Sequence, residues 1–71
     1  MPAIKRLTIY AQNPEDGEYW RQLFEELGVT INLECPPPKD YPFTVGGKTP
    51  DTWYDGVGAL SRLATQLDAR S

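Results

Sequence analysis

Apolar and polar positions change their period twice within residues 4–34. Leu7 and Ile9 alternate with Lys5 and Thr8, and Val29, Ile31 and Leu33 alternate with Thr30, Asn32 and Glu34, the two-residue period of half-buried strands. Between these runs Trp20, Leu23, Phe24 and Leu27 fall at i, i+3, i+4 and i+7, one stripe of a helix. Strand, helix and strand in so short a span predict a parallel pair with a right-handed crossover, because a twisted strand feeding a right-handed helix returns to its sheet in essentially one way. The helix ends carry their own signals. Asn13 fits the N-cap, Pro14 the first helical position, Glu15 and Asp16 the positive end of the helix dipole, and Gly28 a left-handed cap after Leu27. Gly17 weakens this helix by about 1 kcal/mol relative to Ala.

From Glu34 to Pro42 the chain reads Glu-Cys-Pro-Pro-Pro-Lys-Asp-Tyr-Pro, a stiff extended connector, since successive prolines remove backbone donors. Gly46-Gly47, flanked by Phe43-Thr44-Val45 and Lys48-Thr49, predicts a type I′ turn closing a tight hairpin. Pro50 to Gly56 reads as a loop holding Trp53 and Tyr54, with Asp55 placed to cap the next helix. Val57, Leu60, Leu63, Ala64 and Leu67 recur at helical spacing and predict that helix from about Gly56 to Asp68, the last in the chain, with Ala69 to Ser71 frayed. The expected order is β-α-β-β-β-α.

A chain of 71 residues is expected to form a single domain, residues 1–71, that buries roughly 60% of its unfolded surface, so it has one small core. Seven basic residues against ten acidic ones give a net charge of −3, and the bases are scattered, which argues against nucleic acid as a partner. No apolar run has the length of a bilayer span or of a signal peptide's core, so a cytoplasmic protein without a membrane partner is expected. The single Cys35 excludes an intramolecular disulfide. With no histidine the usual metal sites lack their ligands, and the phosphate-cradling glycine patterns are missing, so neither a metal nor a cofactor is expected.

Four segments together resemble a glutaredoxin, in the thioredoxin fold. Leu7-Thr8-Ile9-Tyr10 is similar to its first strand, and Leu23-Phe24-Glu25-Glu26-Leu27-Gly28-Val29 to the first helix running into strand two. Tyr41-Pro42-Phe43-Thr44-Val45-Gly46-Gly47-Lys48 resembles the cis-proline strand with its glycine turn, and Gly56-Val57-Gly58-Ala59-Leu60 the start of the last helix. The resemblance covers most of the chain. It implies an α/β chain with a mixed α+β sheet, a trimmed thioredoxin/glutaredoxin-like fold in which the Tyr41-Pro42 bond is cis. Three departures limit what carries over. No cysteine stands among residues 13–19, where the family has its catalytic thiol at a helix N-terminus. The proline connector replaces the second helix. The step from Lys48 to Gly56 is longer than the family's, so its glutathione contacts do not transfer, and Glu15, Asp16 and Glu18 would repel that anion.

Thiol-disulfide exchange needs a thiolate that attacks and leaves readily, and acidic Glu34 beside Cys35 disfavours one. A weak oxidoreductase working through Cys35 is the alternative reading. The carboxylates of the first helix could also pair for glycoside hydrolysis, but Glu18 and Glu25 lie opposite the apolar stripe, on a face expected to be wet. A binding surface remains. On the resembled fold the start of helix one, the loop before the cis-proline and the loop before the last helix converge, which would gather Tyr19, Tyr41, Pro42, Trp53 and Tyr54 within a rim of Asp16, Asp51 and Asp55. Aromatic residues with an acidic rim fit protein recognition, whereas the competing reading has Trp53 covering the small core. The expectation is a non-catalytic, glutaredoxin-like module binding another protein or itself, of the kind a phage genome or a larger assembly could use as adaptor, inhibitor or structural subunit.

Overall fold

The computed structural model of the chain describes residues 4–69. Its elements run in the order β1 (Arg6–Ala11), α1 (Pro14–Glu26), β2 (Thr30–Glu34), β3 (Val45–Lys48), β4 (Trp53–Asp55) and α2 (Gly56–Ala69). Helix α1 begins and ends where local chemistry dictates. The Asn13 side chain accepts from the Asp16 backbone N–H at 3.0 Å and donates to the Asp16 carboxylate at 2.9 Å, so one orphan donor of the first turn is satisfied. At the other end Gly28, at φ 89°, donates to the Glu25 carbonyl while Val29 donates to that of Phe24, the paired bonds of a Schellman motif. The Ala69–Ser71 fraying expected from sequence falls largely outside the described residues.

The strands form one mixed sheet in the order β2-β1-β3-β4. β1 and β2 are parallel, as the strand-helix-strand pattern requires, whereas β1 with β3 and β3 with β4 are antiparallel. Leu7, Ile9 and Ala11 point to one face of β1 and meet Trp20 and Phe24 of α1, Leu60 and Leu63 of α2, Val29 and Val45. Both helices therefore cover the same face. Leu23 and Leu27 of the predicted α1 stripe are only half-buried at the margin of this core, and Val57 of the α2 stripe is 55% exposed.

Two strands are not where their sequence pointed. Gly46-Gly47 does not turn; both residues lie buried within β3, paired with Tyr10 and Ile9. A Cβ on Gly47 would come within 3.1 Å of Leu60 and 3.2 Å of Leu7, and one on Gly46 would overlap the Tyr41 hydroxyl, so both glycines serve close packing. The hairpin turn lies instead at Thr49-Pro50-Asp51-Thr52, where Thr49 N–H donates to the Thr52 carbonyl at 2.9 Å and Thr52 N–H to the Thr49 hydroxyl at 3.0 Å. Pro50 takes the second position, which its fixed φ suits. Trp53 and Tyr54, expected in a loop, thereby become strand β4, and Asp55 is its last residue with its carboxylate turned to Tyr41. Among the described residues the cis peptide bond is Cys35–Pro36, not Tyr41–Pro42. Gly17, a liability for a helix, lets α1 approach the sheet: a Cβ there would lie 2.7 Å from Leu33 and 3.3 Å from Ala11.

Candidate functional site

Because both helices pack on one face, the strand register assembles an opposite face with no helix over it. One row across the sheet reads Asn32, Thr8, Lys48, Trp53, and the next reads Glu34, Tyr10, Gly46, Asp55. The missing side chain at Gly46 leaves a gap between Tyr10 and Asp55. Tyr41 fills it from the connector: its hydroxyl lies over Gly46 and donates to the Asp55 carboxylate at 3.1 Å. An aromatic ring laid over a strand glycine restores contacts that the glycine lacks.

Three rings then stand together. Trp53 stacks on Tyr10 with centroids 5.8 Å apart and on Tyr41 at 6.3 Å, while Tyr10 and Tyr41 meet at 5.2 Å. Phe43 meets Tyr41 edge-on at 5.6 Å, and the Lys48 ammonium stands 4.8 Å from the Trp53 ring centroid. Tyr10 is buried beneath this group, but Trp53 keeps half its surface in water. Trp53 is thus on the far side of the sheet from the core and does not cover it. Gln12 pins the connector in place. Its backbone N–H donates to the Thr44 carbonyl at 2.8 Å and its side chain to the carbonyls of Tyr41 and Phe43 at 3.4 and 3.3 Å.

The residues expected to converge only partly come together. Tyr41 and Trp53 are in the cluster, with exposed Pro42 beside it. Tyr54 alternates with Trp53, pairs with Gly47 and packs half-buried against the helix-side core. Tyr19 is 60% exposed on α1, where its ring lies edge-on to Trp20. Asp51 is exposed in the β3–β4 turn, and Asp16 is engaged with Asn13. Sequence reasoning missed Tyr10 and Lys48. Their signal was the strand alternation itself, since Tyr10 stands two residues after Thr8 and must share its face.

Burial first, then the hydrogen bond and charge of Asp55, raise the Tyr41 hydroxyl above its ordinary pKa. On α1 the Arg21 guanidinium bonds Glu18 through Nη2 at 2.6 Å and Glu25 through Nη1 at 2.9 Å, and the bond to Arg21 lowers the Glu18 pKa. These carboxylates form ion pairs on the helix surface. Cys35 is exposed after the end of β2. Among the described residues no group of His, Cys, Asp and Glu is arranged to hold a metal, and no helix is long and apolar enough to cross a membrane. Comparison with protein-family models, with curated proteins and with solved structures finds no match.

Proposed function

We propose that this protein is a non-catalytic, glutaredoxin-like binding module of the cytoplasm that recognises another protein through the aromatic group on its helix-free sheet face. The observation that carries the reading is Trp53, packed against both Tyr10 and Tyr41 on the sheet yet half exposed. A large ring fixed by its neighbours loses little conformational freedom on binding, which is why such side chains anchor interfaces. The parallel crossover first and the hairpin plus helix last support the glutaredoxin-like part of the reading. A cis bond at Pro42 does not contribute to it. The binding face is also displaced from the one the family uses, because no helix stands where the connector runs, and so the opposite face of the sheet is open.

The test is a partner captured from the native host with immobilised protein and then measured as a purified complex. Trp53→Ala is expected to weaken that complex by about 2 kcal/mol or more, while denaturant melts change far less than the roughly 3–5 kcal/mol that a core Trp would cost. Undiminished affinity for Trp53→Ala would move the interface elsewhere. The exposed thiol of Cys35 keeps an oxidoreductase reading in view, and a glutathione-linked reduction assay decides it. Activity that is present in the wild type and absent in Cys35→Ser would replace the binding reading.

A further inference from the structure

Charge is segregated along the helix-free face. Glu34 and Asp55 share the row at the end where β1 finishes, whereas Lys48 lies one row back and Arg6 at the end where β1 begins. Over that second end runs an open groove of about 630 Å³, lined by Arg6, Thr8, Tyr10, Thr30, Asn32 and Lys48 and closed at one side by the Thr49-Pro50 turn. Among the described residues no carboxylate lines it, in a chain whose acids outnumber its bases by ten to seven. Among the described residues the ion pairs belong to Arg21, so neither Arg6 nor Lys48 has its charge matched. Lys48 is instead steered over Trp53, at the groove's border with the aromatic group.

We propose that this groove receives an acidic segment of the partner protein, an extended stretch in which a carboxylate lies between Arg6 and Lys48 and a neighbouring aromatic or apolar side chain rests on Trp53. The inference builds on the protein-binding reading above and names the chemistry of its partner. Two unmatched cations without a competing carboxylate suit one or two carboxylates, and the guanidinium of Arg6 can hold one through paired hydrogen bonds. The hydroxyls of Thr8 and Thr30 and the amide of Asn32 offer donors and acceptors to a peptide backbone. The volume lies within the roughly 300–1,000 Å³ of ordinary ligand clefts, enough for a few residues rather than a folded surface. Stacked rings beside cations also fit single-stranded nucleic acid, but such a strand brings a charge with every nucleotide, and Glu34 and Asp55 on the same face would repel the successive phosphates.

The experiment is an NMR titration of the whole ¹⁵N-labelled protein with three probes: a short capped peptide alternating Glu and Phe, the same peptide with Gln for Glu, and oligouridylate. The Glu peptide is expected to shift the amides of Thr8, Thr30, Asn32 and Lys48 saturably, and the Gln peptide to bind at least about tenfold more weakly. Arg6→Gln and Lys48→Gln, whose melts should match the wild type, are each expected to weaken the Glu peptide severalfold and to flatten its salt dependence. Equal binding of the Glu and Gln peptides, shifts confined to another surface, or no saturable shift would overturn the proposal. Oligouridylate shifting these amides where the Glu peptide does not would assign the groove to nucleic acid instead. A captured partner that is lost with Trp53→Ala but kept by Arg6→Gln and Lys48→Gln overturns the groove and leaves the binding module standing; one kept by Trp53→Ala removes the reading beneath both.

Discussion

Tyr41 joins the connector to the sheet, and its hydroxyl is expected to make that junction sensitive to alkali. Its folded-state pKa is raised above the ordinary 10.0, chiefly by burial and then by Asp55. A raised pKa means that the folded state holds the proton more tightly than the unfolded chain. The stabilisation is therefore complete below about pH 10 and is lost as the pH rises through that value toward the folded one. Paired urea melts between about pH 9 and pH 11 should show the wild type losing more stability than Tyr41→Phe, which has no proton to lose. Parallel profiles would contradict the raised affinity of this hydroxyl for its proton. Gly46 is the other half of the same contact. A methyl at this position would overlap the Tyr41 hydroxyl and lie 3.1 Å from the Tyr54 carbonyl oxygen, so Gly46→Ala should cost about 1–3 kcal/mol and change the Trp53 fluorescence as Tyr41 lifts away. An unchanged melt and spectrum would mean that the ring does not lie there.

Helix α1 is the element whose sequence and structure agree most closely, because its caps and its stripe are decided within a few residues of one another. The stripe alone, however, does not rank its members. Phe24 is fully buried and Trp20 nearly so, whereas Leu23 and Leu27 sit at the edge of the sheet. Phe24→Ala is thus expected to cost about 3–5 kcal/mol and Leu23→Ala clearly less, with chemical denaturation as the measure. Equal losses would place the centre of the core between them. The β3–β4 hairpin is the opposite case. Gly-Gly is a strong hairpin signal and Pro-Asp a general turn signal, so a local reading prefers the former. What outweighs it is packing from Leu7, Leu60 and Tyr41, which all require a position without a side chain.

At the scale of the molecule, one sheet carries two helices on one side and a connector on the other, so protection should be graded across it. β1 is an interior strand with a neighbour on each side, and it contributes Leu7, Ile9 and Ala11 to the core. Hydrogen exchange should be slowest in β1 and fastest, among the strands, in the three-residue edge strand β4. Slow exchange in β4 equal to that of β1 would point to a covered edge or face. The proposed binding face depends on this arrangement, since a second helical layer would have buried Trp53 and closed the groove.

The amino-acid sequence by itself determined the parallel strand-helix-strand unit, both ends of α1 and the last helix, because periodicity and capping depend on neighbours one to four residues apart. The tertiary structure decided which residues form β3 and β4, and that Tyr54 and Trp53 part to opposite faces while Tyr10, Tyr41 and Trp53 come together. It also decided that Arg6 and Lys48 share a groove. Those outcomes rest on contacts beyond the reach of local periodicity: Tyr41 on Gly46 and Asp55, Leu7 and Leu60 against Gly47, and two helices choosing the same side of the sheet. A glycine pair reads identically in a turn and in a strand until the side chains that crowd it are known.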